Sequence, residues 1–418
     1  MRSLTFISIL ILVLIAVDIY AFLGVKALTE AFAPTTKKIL YFLYWSLTAI
    51  VLISFMTTFF FSFEKWDRIV RLVFITVVFV SFFTKLFFVI FVLIDDLQRL
   101  VRWVAQKISG LFSREPISTE NPIPRSEFLL KAGVAAATVP LVGLTWGIVS
   151  GAHDYRVRRQ KIALKNLPSQ FHGLKIVQLS DIHSGSFYNK TAVKGGVEMA
   201  MREKADVVFF TGDLVNNEAS EMKYYKDIFD KVKAPLGVYS VLGNHDYGDY
   251  AQWSSLEAKR ENLQTLMRIH KEMGWDLLMN EHRMLERGGD KLAIIGIENW
   301  GAKGHFPKYG KMKEAYANTE DASVKLLLSH DPSHWDAEVR KKYKDIDIMF
   351  AGHTHGMQFG IENKYIKWSP VQYMYDQWAG LYKEDNQYLY VNRGYGFIGF
   401  PGRVGMLPEI TVIELEKA

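Results

Sequence analysis

Two stretches, Gly243-Asn244-His245-Asp246 and Gly352-His353-Thr354-His355-Gly356, bring imidazole, amide and carboxylate groups to the ends of short apolar runs at 238–242 and 346–350. An imidazole-rich cluster placed where a buried strand stops packs poorly and binds metal well, because open α/β sheets expose their working groups beyond the carboxyl ends of their strands. The arrangement recurs. Asp181 and His183 follow an apolar run at 174–179, Gly212-Asp213 follows 207–211, and His330 follows 324–329. Each group alone reads as a surface carboxylate, a turn asparagine or a hydrogen-bonded histidine. Five strand ends carrying oxygen and nitrogen donors point together to a metal centre, and with no cysteine in the chain that centre is built without thiolates.

The elements that must hold these groups are short apolar strands at 174–179, 207–211, 237–242, 291–297, 324–329, 346–350, 387–392 and 409–415. Helix-like segments at 191–203, 222–232 and 251–273 lie between them, and 155–164 alternates as a strand does. Strands alternating with helices predict an α/β fold whose sheets are covered by helices.

The first 150 residues are different. Residues 3–25 are apolar except for Asp18, 39–63 carry no charge, and 72–94 are apolar except for Lys85. Each run is long enough to cross a hydrocarbon core of roughly 30 Å at 1.5 Å per residue, so residues 1–95 are expected to form three transmembrane helices. An ionisable group inside a span is costly; Asp18 and Lys85 fall at similar depth and either pair with each other or both snorkel to an interface. Residues 96–128 begin as a basic amphipathic segment with Arg99, Arg102 and Lys107, suited to the bilayer surface, and pass into a linker with Pro116, Pro122 and Pro124. Residues 129–151 read as a fourth span. Setting aside the charges of the folded region from 155, most remaining positive charge lies around 26–38 and 95–131, which puts those connections in the cytoplasm and the 155–418 domain outside it, on a multi-pass protein of the cell membrane. The net charge of +6 belongs with these flanks; no basic run interleaved with aromatics marks a nucleic-acid face. Nothing in the sequence sets an oligomeric state.

The ordered set Asp181-x-His183, Gly212-Asp213, Gly243-Asn244-His245-Asp246, His330 and Gly352-His353-Thr354-His355, spread over roughly residues 172–416, resembles the calcineurin-like metallophosphoesterases, most strongly their membrane-anchored bacterial branch, which includes enzymes acting on UDP-2,3-diacylglucosamine. The resemblance implies a two-sheet α/β sandwich with flanking helices behind the transmembrane helices. It implies two divalent ions (Mn²⁺, Zn²⁺ or Fe), one held by Asp181, His183 and His355, the other by Asn244, His330 and His353, with Asp213 bridging. Two such ions about 3.5–4 Å apart lower the pKa of a shared water and clamp a phosphoryl group for in-line attack. His245 is left for proton or phosphate work, with Asp246 expected to orient its ring. Arg393 or Arg403, in the glycine-rich closing segment, reads as a planar fork to a substrate phosphate or as a surface arginine beside a glycine turn.

Two departures from the branch stand out: Met357 replaces a second glycine after the histidine pair, and Asn216-Asn217 stands where an aspartate is common. The expected activity is hydrolysis of a phosphodiester or pyrophosphate, in a lipid-linked substrate drawn from the bilayer. The same chemistry on soluble nucleotides or phosphodiesters is the enzyme alternative, and a non-catalytic partner scaffold is the alternative of another class. The aromatic stretch Trp368, Tyr373, Tyr375, Trp378 and Tyr382 reads as core packing, or as a groove or membrane-dipping edge.

Overall fold

The computed structural model describes residues 4–60, 66–112, 125–304 and 306–418. The chain divides into two compact units, Met1–Trp146 and Gly147–Ala418.

In the first unit α1 (Leu4–Leu28), α2 (Pro34–Phe60) and α3 (Arg68–Phe112) are followed by α4 (Glu127–Val149). All four helices are long and apolar enough to cross a membrane. Lys85 Nζ lies 2.5 Å from Asp18 Oδ1, joining α1 to α3, and the Tyr44 hydroxyl donates to the Asp18 carbonyl at 2.7 Å. A second polar knot stands at the α3–α4 connection, where Arg125 reaches Asp95 at 3.2 Å and Asp96 at 3.0 Å. The third apolar run and the start of the basic segment share one helix: α3 runs through both for 45 residues. No glycine or proline occurs between Arg68 and Ser109, so nothing in the sequence ends the helix there. The proline linker at 113–124 lies outside the described residues.

The second unit holds two six-stranded mixed sheets. One contains β1 (Arg156–Leu164), β2 (Lys175–Leu179), β3 (Val207–Phe210), β4 (Val238–Ser240), β5 (Asp276–Leu277) and β14 (Glu409–Lys417), in the order β1-β14-β2-β3-β4-β5. The other contains β6 (Glu281–Arg287), β7 (Asp290–Gly296), β8 (Val324–Leu328), β9 (Ile348–Ala351), β12 (Gly380–Glu384) and β13 (Gln387–Val391), in the order β12-β13-β9-β8-β7-β6. Strands β10 (Ile361–Glu362) and β11 (Lys367–Trp368) form a separate hairpin. The helices are α5 (Lys190–Arg202), α6 (Lys226–Phe229), α7 (Leu256–Glu272), α8 (Met312–Tyr316) and α9 (Arg340–Lys342).

The near-continuous apolar runs that marked the strands follow from burial on both faces. Ile176, Phe209 and Ile413 of the first sheet meet Ile294, Leu326 and Phe350 of the second in a core between the sheets. A second core lies on the outer face of the first sheet, around Val193, Phe210 and Leu266, and a third on the outer face of the other, around Ile295, Trp335 and Met349. The unit is thus a sandwich of sheets flanked by helices. Because β2, β3 and β4 run parallel to one another, as do β8 and β9, the carboxyl ends within each set share one edge.

The outer core of the first sheet includes a buried imidazole. His270 of α7 packs against Phe210 and Trp275, with Nδ1 3.0 Å from Ser240 Oγ, and burial drives its pKa down to about 3. The folded imidazole therefore stays neutral while the unfolded one titrates near 6.5, so its stabilising effect is complete above about pH 6.5 and is lost as pH falls toward 3. At pH 5 this one group costs about 2 kcal/mol. His270→Leu is expected to flatten the acid side of a denaturation-midpoint profile between pH 7.5 and 5; an unchanged slope would contradict this.

Candidate metal centre

Every strand that carried a predicted donor delivers it to the same edge. Asp181 and His183 follow β2, Asp213 follows β3, Asn244, His245 and Asp246 follow β4, His330 follows β8, and His353 and His355 follow β9. Five of these residues have left-handed backbone: φ is 52° at Asp181, 49° at His183, 61° at Asp213, 71° at His353 and 52° at His355. Non-glycine residues hold that conformation only where their surroundings impose it. Here the loops impose it on one another. The Asp181 N–H donates to the Gly212 carbonyl at 2.9 Å, the His183 N–H to the Asp213 carbonyl at 3.1 Å, and the His353 N–H to Asp181 Oδ1 at 3.0 Å. Gly212 shows how tight the junction is. A Cβ there would lie 2.5 Å from the Gly243 nitrogen and 2.8 Å from His330 Nδ1, at a φ of 96°.

The donor atoms converge in two groups. In the first, His355 Nε2 stands 3.1 Å from both His183 Nε2 and Asp181 Oδ1. In the second, Asn244 Oδ1 stands 2.8 Å from His353 Nδ1 and 3.2 Å from His330 Nε2, and those two nitrogens are 3.3 Å apart. Asp213 Oδ2 faces both groups, 3.1 Å from His330 Nε2 and 3.5 Å from His183 Nε2. Ligand atoms about 2.1 Å from one ion stand roughly 3.0–3.4 Å from each other, so these separations fit two adjoining ion sites.

Neighbouring groups select which atom each side chain turns toward the cluster. His330 Nδ1 donates to the Thr211 carbonyl at 2.7 Å, leaving Nε2 to face the other donors. His353 Nε2 is 2.9 Å from the Tyr375 hydroxyl, leaving Nδ1. Asn244 Nδ2 donates to the Tyr250 hydroxyl at 2.9 Å, which turns Oδ1 toward the imidazoles. Tyr375 and Tyr250 were not among the expected site residues. Tyr250 follows Asn244 by six positions in the same loop, and Tyr375 belongs to the aromatic stretch, which was the only sequence signal of either.

The charges also fit a cation. Burial would raise the carboxyl of Asp213, but His330, His245 and His183 reverse this and hold it well below the ordinary range; His355 and His330 do the same for Asp181. Burial opposes a charge on His330, yet Asp213 and Asp181 push it up to about 10. The field that retains a proton on His330 would equally retain a metal ion in its place. His183 and His353 are held below 6.5, chiefly by burial, and so offer lone pairs at neutral pH.

Three expectations need correction. Asp246 does not orient the ring of His245. Its Oδ2 accepts from the backbone N–H groups of Asp213 at 2.8 Å and Gly243 at 2.9 Å, and its Oδ1 from Leu214 at 2.8 Å and Val215 at 3.2 Å. His245 is oriented instead by the Asn216 carbonyl, which accepts from Nδ1 at 2.8 Å. Arg393 is no free fork for phosphate, because it is buried between Glu409 and Glu362 at 2.5 Å each. Arg403 is also buried: it donates to the carbonyls of Gly396 and Met406, and its Nη2 lies 3.1 Å from His355 Nδ1. Both guanidiniums hold the closing segment in place.

Of the two departures, Met357 takes the left-handed backbone that a glycine would, at φ 54°, with its side chain exposed. Asn216 exchanges side-chain hydrogen bonds with Ser186 besides serving His245. Tyr375 and Trp378 of the aromatic stretch pack with Val371, Ala379 and Met406 in a small core, whereas Tyr373 is exposed.

Residues 174–357 match the family model described as "Calcineurin-like phosphoesterase", and residues 1–152 match "Probable Calcineurin-like phosphoesterase, transmembrane domain". The Danio rerio "Transmembrane protein with metallophosphoesterase domain" is 29% identical over 75% of this chain and 68% of its own length; its Bos taurus namesake is 28% identical over 65% of this chain and 60% of its own. The matched stretch therefore spans about two thirds or less of these vertebrate relatives. The uncharacterized metallophosphoesterase YkuE of Bacillus subtilis is 27% identical over 68% of this chain and 94% of its own length.

Proposed function

We propose, for a chain that belongs to the calcineurin-like phosphoesterases through residues 174–357, that this membrane phosphoester hydrolase cuts a phosphodiester or pyrophosphate bond in an amphiphilic substrate presented by the bilayer that its four apolar helices enter. The observation that carries the chemistry is the position of Asp213, whose one carboxylate oxygen faces both imidazole groups.

The Asp/His clusters suit divalent metal. Asp181, His183 and His355 would hold one ion and Asn244, His330 and His353 another, with Asp213 shared. Such ions neutralise a phosphoryl group and lower the pKa of water at the site. The remaining chemistry belongs to the protein. His245 is fixed at Nδ1 by the Asn216 carbonyl, so Nε2 is the nitrogen that can give a proton to a leaving oxygen or hold a phosphate oxygen. Burial lowers its pKa against the opposing pull of Asp213. Tyr250 and Tyr375 hold Asn244 and His353 in their ligating orientations, and the mutual hydrogen bonds of the loops keep those donors from rearranging when substrate binds.

The lipid-linked substrate is supported by four candidate spans in the same chain and by relatives named as transmembrane proteins. A catalytic domain outside the cytoplasm, on a protein of the cell membrane, is supported by the positive charge of the 26–38 and 95–131 connections. Purified full-length protein in lipid nanodiscs with Mn²⁺ should hydrolyse bis(p-nitrophenyl) phosphate and also an acylated sugar nucleotide or a phospholipid. Cleavage of the first with none of the acylated substrates would make the spans a tether and the substrate soluble.

A further inference from the structure

The large apolar side chains exposed on the catalytic unit are unevenly placed. Among its described residues twelve are exposed, and seven of these fall within residues 357–374. The tip of the β10–β11 hairpin is the most open part, with Tyr365 at 82% and its neighbour Ile366 at 51%; Ile361, Phe359 and Met357 continue the patch, and Tyr373 at 78% closes it. Scattered exposed apolar residues are ordinary, but a contiguous patch on one short segment marks a surface that is covered in use.

The hairpin is firmly built. Glu362 at its base pairs with Arg393 at 2.5 Å and Arg158 at 2.7 Å. Phe359 bridges Val404, and the Gly360 N–H donates to the Val404 carbonyl at 2.9 Å. The next residue back, Arg403, donates its N–H to the Gly147 carbonyl at 3.0 Å, and a Cβ on Gly147 would lie 2.6 Å from Val404 Cγ2. Gly147 lies near the end of the fourth candidate span, Glu127–His153. Two short contacts thus join the base of the apolar hairpin to the residues at which the chain leaves its last membrane helix. The tip also carries a cation, Lys364 Nζ, 4.6 Å from the centre of the Tyr365 ring. An exposed tyrosine and isoleucine beneath a lysine is the composition of an interfacial anchor, with apolar groups among the acyl chains and the ammonium among phosphates.

We infer that the 357–374 segment, led by the β10–β11 hairpin, is a bilayer-docking surface that enters the lipid interface. The patch begins two residues after His355 and ends next to Tyr375, which holds His353, so docking would set the metal centre at headgroup level. The inference rests on membrane anchoring and not on which ester is cut.

Because the chain has no cysteine, single sites can be labelled in the full-length protein without removing others. Tyr365→Cys carrying an NBD fluorophore, in nanodiscs of phosphatidylcholine and phosphatidylserine, is expected to be quenched at least about twofold when lipids bearing an acyl-chain nitroxide replace the plain ones. Tyr224→Cys, an exposed position elsewhere on the unit, should be quenched far less. Equal quenching at the two sites would overturn the inference, as would a blue shift at 365 that depends on protein density and ignores the nitroxide, the result for a second copy of the chain covering the patch. Tyr373→Cys serves if the first variant fails to fold. The readout needs no turnover, so an inactive protein whose hairpin is quenched would fail the proposed activity and keep the docking surface.

Discussion

His245→Ala is expected to keep its full complement of metal while losing about 10²–10⁴ of turnover, the range for removal of a positioned proton donor. The structure separates this histidine from the other four at the site. His183, His330, His353 and His355 each aim a nitrogen at another donor 2.8–3.5 Å away, whereas His245 spends Nδ1 on a backbone carbonyl. The matched control is His353→Ala. It removes the Nδ1 that faces Asn244 Oδ1 and His330 Nε2, so it should lose metal as well as turnover. Metal per chain measured by mass spectrometry, alongside kcat on bis(p-nitrophenyl) phosphate, distinguishes the two. Equal metal loss in both variants would show that His245 has been given the wrong role.

The second large effect is expected at a residue whose carboxylate faces backbone N–H groups and no other donor side chain. Asp246→Ala strips the acceptor from four buried backbone N–H groups, those of Asp213, Gly243, Leu214 and Val215. Each buried donor left unsatisfied costs about 1–3 kcal/mol, so a loss of several kcal/mol in unfolding free energy is expected even after water replaces part of the contact. Asp246→Asn should also destabilise, because an amide nitrogen would face two of those donors. The carboxyl itself is in a conflicted position: burial and the charge of Asp213 push it up to about 7, while the backbone donors favour its ionised form. If Asp246 only oriented His245, either substitution would lower turnover and leave the denaturation midpoint unchanged; chemical unfolding of the metal-loaded variants tests this.

The sequence carried the strands and the donors well and the partners poorly, for physical reasons. Strands β2, β3, β4, β8 and β9 are buried on both faces, so each is an apolar run with a donor just past its end. Strands β6, Glu281–Arg287, and β12, Gly380–Glu384, are half-exposed edges of the second sheet and have no such run to betray them. The roles of Asp246, Arg393 and Arg403 were misjudged because residue type indicates what a side chain can do, whereas tertiary closure decides what it meets. Asp246 follows His245 directly, but a turn carries it to the β3 loop. Arg393 sits among glycines, but its carboxylates are Glu409, 16 residues away, and Glu362, 31 residues away. Asp18 and Lys85 were legible for the opposite reason: in an apolar helix a charge has few places to go.

The left-handed residues at the strand ends bear on ion choice. A side chain on such a position has little slack, because relaxing its backbone breaks the N–H contacts that tie one loop to the next. A centre assembled from five of them is a rigid template, admitting ions by radius and preferred geometry instead of reshaping around whatever arrives. A calcium ion, which seeks oxygen ligands and tolerates irregular shells, would meet a nitrogen-rich donor set on a backbone with little slack. Discrimination between small and large divalent ions would thus be written in the main chain, before any imidazole chemistry takes part.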